Sequence, residues 1–241
     1  SEQFELLVGQ LRHAKAKAPQ YSELLAGIDP EAVTDRSALA QLPVTRKSEL
    51  SQSQLRDPPF GGYAASEDGD LLRIFASPGP VFEPQGRRED FWRFARALHA
   101  AGFRRGDLIH NTFSYHFTPA GFMVDSGAHA LGCTVFAAGT GQTELQVQAI
   151  AVLRPRGYVG TPSFLKIILD KAAETGLELS SLAVGAVSGE ALPNSLRDEI
   201  SAAGIEVLQA YATADVGLIG YESPARDGMI LDEHVIVEIV E

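Results

Sequence analysis

The chain has 241 residues, and 45% of them are hydrophobic, so it can bury the core of one large α/β domain and is not a disordered segment. Its formal net charge of -11 gives a surface that repels phosphate backbones, which argues against nucleic acid as a partner. The single cysteine, Cys133, excludes an internal disulfide and a metal site built from several cysteines.

Residues 1–70 are predicted to form a helix followed by an extended arm. An amphipathic helix is expected over 1–18, where apolar residues recur at helical spacing: Phe4, Leu7, Val8 and Leu11. This helix is charged and lacks the apolar segment of a secretion signal. Prolines then interrupt the pattern, and a second helix is expected to begin near Arg46.

Residues 71–216 are predicted to form an α/β core in which helices and strands alternate. Glycine ends a helix at no steric cost because it adopts the left-handed conformation. Four helices are predicted to end in this way, at Gly102, Gly132, Gly176 and Gly204. The β-rich stretches that follow them are 107–111, 134–138, 182–187 and 206–211. Such alternation predicts a mostly parallel sheet flanked by helices.

Local patterns also mark where helices of the core are expected to begin. Thr118-Pro119 and Thr161-Pro162 each place a capping hydroxyl before a proline at the first helical position. Thr143-Glu144-Leu145-Gln146 fits the reciprocal capping box. The uncharged stretch 126–143 is rich in glycine, so a membrane span is not expected there and the chain is predicted to be cytoplasmic.

Residues 217–241 are predicted to form a small β-rich piece. Short strands are expected at 217–221, 229–231 and 235–240, where β-branched and apolar residues are concentrated. These strands form either a small sheet or the edge of a larger one.

Ligands of parallel α/β folds bind at the loops that leave the carboxyl ends of the strands. The candidate loops are 76–86, 111–117, 139–142, 188–193 and 211–215. In the fourth, Gly189 lets a ring or a phosphate approach the backbone, although an ordinary turn has the same pattern. In the fifth, Tyr211 and Asp215 would either stack a base and hold Mg²⁺ or be a rim tyrosine and a turn residue.

The loop 111–117 is crowded with aromatic side chains. Phe113, Tyr115 and Phe117 would share one side of an extended segment, with His116 on the other. They would either line a pocket for an apolar or aromatic acid or belong to the core. The sequence contains neither a dinucleotide or Walker glycine pattern, nor a hydrolase nucleophile elbow, nor a histidine pair spaced for zinc.

Several of these segments together resemble the phenylacetate–CoA ligases of the adenylate-forming superfamily. The likeness is densest at Gly139-Thr140-Gly141-Gln142-Thr143-Glu144, which is similar to the S-G-G-Q-T-E segment of that family. Further matches follow the order of the family, at 42–50, His110-Asn111, 160–163 and 232–234. The resemblance implies the large N-terminal domain of an adenylate-forming enzyme, with a mostly parallel sheet and a small β-rich C-terminal piece.

The resemblance implies ATP-dependent activation of a carboxylic acid, aryl or otherwise apolar, to an acyl-adenylate and then to its CoA thioester. ATP or AMP, Mg²⁺ and CoA are then the cofactors, and a homodimer is expected by analogy. Thr213 and Asp215 take catalytic positions, with Asp215 as the ligand of Mg²⁺. Nucleotide contacts are implied for Ser77, Gly79, Ser188, Gly189, Glu190, Ala191, Gln209, Tyr211, Ala212 and Thr213, with Tyr211 stacked on adenine. Acid contacts are implied for Tyr115, His116, Phe117, Gly139, Thr140 and Gly141.

Two segments depart from the family pattern. Where the family has S-S-G-T-T-G-K-P, residues 76–84 contain prolines that remove backbone N–H donors, and Glu83 adds repulsion toward a triphosphate. The mobile C-terminal lid of the family would follow after Glu241, so residues 1–241 alone are not expected to complete the reaction. An alternative therefore stays open, namely a non-catalytic or repurposed homologue that binds an acid, AMP or a CoA ester.

Overall fold

The computed structural model of the chain describes residues 2–77 and 79–239, without the side chain of residue 68. Backbone proximity divides the chain into two compact units, Ser1–Arg87 together with Glu233–Glu241, and Arg88–Asp232. We call these the first and the second unit. The three-part division at residues 70 and 216 stays a prediction.

The first unit begins with helices. They are α1 (Glu2–Lys17), α2 (Pro19–Leu24), α3 (Arg36–Leu39) and α4 (Lys47–Arg56). Leu11 of α1 is buried with Leu25 and Val33, which accounts for the apolar face predicted for the first helix. The predicted helix near Arg46 is confirmed, whereas the extended arm between the two predicted helices contains α2 and α3.

The first unit also contains a β-hairpin. Strand β1 (Arg73–Ser77) pairs antiparallel with β2 (Val81–Gln85), with Ser77 opposite Val81. The side-chain amide of Gln54, in α4, receives the Phe82 N–H and donates to the Phe82 carbonyl, both at 2.8 Å. The prediction of a loop over 76–86 was therefore wrong, because β1 and Gln54 satisfy the backbone of a proline-containing strand. Pro78 lies outside the described residues.

The second unit is built on a seven-stranded sheet. Its strands are β3 (Leu108–Asn111), β4 (Thr134–Ala137), β5 (Gly157–Gly160), β6 (Val184–Val187), β7 (Glu206–Thr213), β8 (Gly217–Glu222) and β9 (Met229–Leu231). The spatial order is β4-β3-β5-β6-β7-β8-β9, and the first five strands are parallel. Strands β8 and β9 continue the sheet antiparallel. The predicted mostly parallel sheet is confirmed, and the small β-rich piece is its edge.

Helices connect the parallel strands of the second unit. They are α6 (Ala120–Leu131), α7 (Thr143–Leu153), α8 (Pro162–Thr175) and α9 (Asn194–Ala202), whereas α5 (Ala95–Ala100) precedes β3. The chain moves one way across the sheet from β3 to β4 and the other way afterwards. Because such crossovers are right-handed, α6 lies on one face and α7, α8 and α9 lie on the other. Apolar side chains of the last three helices and of β5, β6 and β7 form one buried cluster, which includes Ile150, Tyr158, Leu165, Val187, Ile200 and Val207.

The observed ends of these helices can be compared with the capping residues predicted from the sequence. Gly132 and Gly176 are left-handed C-caps as predicted, and Thr161 caps α8 by receiving the Phe164 N–H. Thr118 is not a cap, because α6 begins after Pro119 without a side-chain hydrogen bond. Thr143 is already helical, with left-handed Gln142 in the cap position, so the predicted capping box is also wrong.

Two strand predictions failed in opposite directions. No strand forms within the described residues 235–239, although one was expected over 235–240. Strand β5 was missed because it is four residues long and begins and ends with glycine. A side chain is not possible at Gly160, since a Cβ there would lie 2.0 Å from Thr112 Oγ1. None of the described helices combines the length and the apolar character that crossing a bilayer requires.

Candidate active site

The carboxyl ends of the five parallel strands form one edge of the sheet. The strand registers align Asn111 with Ala137 and Val159, and Val187 with Gly160 and Gln209. The loops after β3, β4, β5 and β6, and the end of β7, therefore leave the second unit side by side. The direction of the chain reverses between β3 and β5, which is where ligands of such sheets bind.

A cleft of about 450 Å³ opens between the loops after β3 and β4, and we call it the acid-side cleft. It is lined by Ser114, Tyr115, His116, Ala137, Ala138, Gly139 and Thr140. Four of the six residues predicted to contact an acid are in this list. The other two, Phe117 and Gly141, are not. The predicted common orientation of the aromatic side chains is wrong, because 112–119 is irregular and Phe117 is 79% exposed with a φ of 60°.

Tyr115 is held in the wall of the acid-side cleft by a buried network. Its hydroxyl donates to Asp125 Oδ1 at 2.7 Å and receives the Asn111 Nδ2–H at 2.8 Å. Its ring lies against Gly121, where a Cβ would be 2.9 Å from Tyr115 Cδ1. Burial and the hydrogen bond to Asp125 raise the pKa of Tyr115. The residue is therefore a neutral, fixed aromatic wall.

The wall opposite Tyr115 is the glycine loop, residues 139–142, which follows β4. Gly139, Gly141 and Gln142 all have positive φ, at 70°, 73° and 52°. The buried side chain of Gln146, in α7, donates from Nε2 to the Gly139 carbonyl at 2.9 Å and to the Gly141 carbonyl at 3.1 Å. Its Oε1 lies 2.5 Å from His110 Nε2. Gln146 thus connects the glycine loop to the buried strand β3.

The loop after β6 carries four residues predicted to contact the nucleotide. Ser188 is buried, whereas Gly189, Glu190 and Ala191 are exposed. A Cβ on Gly189 would lie 3.6 Å from Thr161 and 3.7 Å from Phe113, and its φ is 82°. Glu190 receives a hydrogen bond of 2.8 Å from Ser163, in the first turn of α8. Gly189 is therefore beside both the loop after β3 and the loop after β5.

The second predicted nucleotide segment lies largely in β7 and the turn that follows. The ring of Tyr211 is 55% exposed, and the strand register shifts between Tyr211 and Ala212. The Gln209 N–H donates to Glu222 in β8 at 2.7 Å, and Thr213 Oγ1 receives the Val216 N–H at 3.1 Å. Asp215 is exposed in the turn before β8. The segment is thus fixed by β8, and both Tyr211 and Asp215 are exposed residues.

The β1–β2 hairpin contains the two other residues predicted to contact the nucleotide, Ser77 and Gly79. Ser77 Oγ donates to Glu83 Oε1 at 2.5 Å, and Lys47 Nζ donates to the same oxygen at 2.9 Å. Ser77 and Glu83 are both buried. The hydroxyl that the family resemblance assigns to a phosphate is therefore bound inside the hairpin, beside a carboxylate. This set of side chains does not fit a triphosphate.

Comparison with known sequences identifies the relatives of this chain. It is 30% identical over 255 residues to a phenylacetate–CoA ligase of Aromatoleum evansii, an alignment that covers 99% of this chain and 57% of the relative. The phenylacetate–CoA ligase of Escherichia coli is 32% identical with the same coverage. The chain is a homologue of phenylacetate–CoA ligases. It spans 57% of the length of these relatives, and no family model matches it.

Solved structures give the same fold for this ligase homologue. An open conformation of 2-hydroxyisobutyryl-CoA ligase, in complex with 2-HIB-AMP and CoA, superimposes with a TM-score of 0.87. That comparison covers 95% of this chain and 54% of the other, at 24% identity. The fold is therefore that of the CoA ligases of the adenylate-forming superfamily, as the sequence predicted.

The ligase homologue also contains functional candidates that were not predicted from its sequence. Asp125 and Gln146 are not among the residues that line the acid-side cleft, but they hold Tyr115 and the glycine loop. Each is a polar residue in a helix with buried apolar residues nearby in sequence, Val124 and Ala128 for the first and Val147 and Ile150 for the second. A buried polar residue needs a partner, so this pattern was the available signal.

Proposed function

We propose that this chain is the acid- and nucleotide-binding part of an acid–thiol ligase. A carboxylate oxygen attacks the α-phosphorus of ATP and pyrophosphate leaves, after which the CoA thiol displaces AMP from the acyl-adenylate. The observation that carries the proposal is that the acid-side cleft and the nucleotide loops leave the same edge of one parallel sheet. The relatives named phenylacetate–CoA ligase support the reaction.

The proposed nucleotide contacts follow from exposure and chemistry. The exposed ring of Tyr211 is available to stack on adenine, and Gly189 presents backbone to the same ligand without a side chain. Asp215 offers the oxygen ligand that Mg²⁺ prefers, and Thr213 is a hydroxyl close to it in sequence. A bound Mg²⁺ supplies neutralisation of phosphate charge.

The proposed substrate is a small aryl or other apolar acid. Tyr115 presents an aromatic wall, and the alanines at 137 and 138 add apolar surface to a cleft of about 450 Å³. The partners in this proposal are the acid, ATP and CoA, without nucleic acid or membrane. A cytoplasmic location and a homodimer are proposed with it, the latter by analogy with the family.

ATP–pyrophosphate exchange tests the ligase proposal. The full-length gene product is incubated with labelled pyrophosphate, ATP, Mg²⁺ and a panel of aryl and aliphatic acids. Exchange with at least one apolar acid is expected. Absence of exchange with every acid, together with no thermal shift on adding ATP, would refute the proposal.

A pair of variants tests the nucleotide contacts. Tyr211→Ala should weaken AMP binding about tenfold, because stacking on a base contributes about 1–3 kcal/mol. Ile230→Ala is the matched control, since Ile230 is similarly exposed on β9. Equal AMP affinity in both variants would remove Tyr211 from the site. Isothermal titration calorimetry measures both affinities.

The Ser77–Glu83–Lys47 cluster favours a second candidate function, a homologue that binds an acid, AMP or a CoA ester without turning over ATP. A phosphate at this hairpin would face a buried carboxylate, which costs free energy. Binding of AMP or an acid without pyrophosphate exchange supports this candidate. Exchange with any acid refutes it.

A further inference from the structure

The glycine loop has little side-chain packing of its own. A Cβ placed on Gly139 or on Gly141 would meet nothing within 4 Å, so neither glycine is required by a close neighbour. Both are required by their positive φ, which L-residues with a side chain adopt at a cost. Because close neighbours do not hold these two glycines, the hydrogen bonds of the loop backbone are the contacts that can hold them.

Gln146 makes two of those hydrogen bonds and uses both of its N–H groups for them. Nε2 donates to the carbonyls of Gly139 and Gly141, so the amide orientation is set and Oε1 must be the atom that faces His110. His110 Nε2 therefore carries a hydrogen and donates it to Gln146. His110 Nδ1 is buried without a hydrogen-bond partner, which is compatible with a bare ring nitrogen and not with a second N–H.

The anchor of this arrangement is rigid. His110 is fully buried in β3, between β4 and β5, and its ring stacks on Phe136 with centroids 5.4 Å apart. Gln146 itself is 3% exposed and does not line the acid-side cleft, whereas Gly139 and Thr140 do. A contact between Gln146 and an acid is thus not expected, but a change in Gln146 would reach the wall of the cleft.

We propose that Gln146, oriented by His110, is the positioning residue that fixes the glycine loop as the acid-binding wall. This inference rests on the proposed function only in the identity of the ligand as a carboxylic acid. The positioning itself is a property of the protein without ligand, and it is tested separately.

Amide hydrogen exchange of the full-length protein without ligand tests the positioning. Gln146→Leu should increase the exchange rate of amides 138–143 about tenfold, because two net hydrogen bonds are lost. Gln148→Leu, on the exposed side of the same helix, should leave these rates unchanged. Gln146→Met provides a second unbranched apolar replacement if the leucine variant does not fold. Unchanged exchange at 138–143 in a folded Gln146 variant would overturn the proposal.

A second pair of variants distinguishes positioning from simple core stability. His110→Gln retains an N–H that can donate to Gln146 and should keep slow exchange in the glycine loop, whereas His110→Leu should lose it. A purely structural role would predict similar exchange rates in the loop for both variants. That result would contradict the proposal.

Kinetics connect the positioning to the acid. The kinetic test uses an acid that supports ATP–pyrophosphate exchange. With this acid, Gln146→Leu should raise the KM for the acid about tenfold and change the KM for ATP by less than about twofold. An equal rise in both KM values would contradict a role in the acid wall. If the unaltered protein activates no acid, the ligase proposal fails. The amide hydrogen-exchange experiment still tests whether Gln146 positions the glycine loop.

Discussion

The acid-side cleft and the β1–β2 hairpin both contain buried polar side chains. The two regions differ in the groups that accept the hydrogen bonds of these side chains. In the cleft, Gln146 and Asn111 direct their donors to backbone carbonyls and to Tyr115, so the walls are fixed and the space between them stays open. In the hairpin, Ser77 and Lys47 direct their donors to Glu83. The network of the first region thus leaves an open cleft, whereas that of the second ends on a buried carboxylate that is already paired with Lys47.

The largest effect is expected at Gly160, the last residue of β5. Gly160→Ala should destabilise the protein by about 3 kcal/mol, because the new Cβ would overlap Thr112 Oγ1 and Tyr158 Oη. Urea unfolding measures the change. Gly9→Ala is the control, since a Cβ in this part of α1 meets nothing and alanine should stabilise the helix by about 0.5–1 kcal/mol. A loss below about 0.5 kcal/mol for Gly160→Ala would show that the edge is not closely packed.

A smaller effect is expected inside the cleft wall. Tyr115→Phe should cost about 2 kcal/mol, since the hydroxyl both donates to Asp125 and receives from Asn111 in a buried network. Tyr211→Phe removes an exposed hydroxyl and should change the free energy of unfolding by less than about 0.5 kcal/mol. Similar urea midpoints for the two variants would argue that water replaces the Tyr115 hydroxyl.

The free energy of unfolding should also depend on pH through His110. Burial lowers the pKa of His110 below its usual value of 6.5, so the unfolded chain binds a proton before the native protein does. The free energy of unfolding should therefore fall as the pH decreases below about 6.5, by at most about 1.4 kcal/mol per pH unit. His110→Gln should remove this part of the slope. An unchanged slope between pH 6.5 and 5 would show that His110 is protonated in the native protein.

The smallest effect is expected in the hairpin. Glu83→Gln removes the charge that pairs with the partly exposed Lys47 and should cost less than about 1 kcal/mol. Glu174→Gln breaks an exposed pair with Lys171 and should give no measurable change. A loss well above about 1 kcal/mol in Glu83→Gln would show that the Lys47–Glu83 pair contributes more than a surface ion pair does.

Local chemistry predicted most of the architecture of the second unit, although it missed β5. Left-handed glycines at 132 and 176 and the Thr161 cap act within one turn of chain, so their signals are readable from neighbouring residues. Alternation of apolar segments then gave the parallel sheet. The hairpin was not predictable in this way, because Gln54, far earlier in the chain, satisfies the backbone of β2.

The sequence predicted which loops form the candidate site, but it did not predict the hydrogen bonds that hold these loops. Tyr115, Gly139 and Thr140 were identified from the family resemblance, and all three line the cleft. Gln146 was assigned to a capping box, since the local spacing fits one, yet its partners are His110 in another element and the loop before the helix. Contacts between residues distant in sequence are set by the sheet register, which a local pattern does not contain.

The adjacent residues His110 and Asn111 lie on opposite faces of β3, as alternation along a strand requires. His110 forms a hydrogen bond with Gln146 of α7, and the Asn111 side chain donates to the Gly121 carbonyl of α6. This dipeptide therefore holds both walls of the cleft. A library designed to change the acceptable acids should therefore randomise Ser114, Ala137 and Thr140, which face the cleft, and keep the dipeptide constant. Variation at 110 and 111 would be expected to alter the support of both walls together rather than a single contact with the acid.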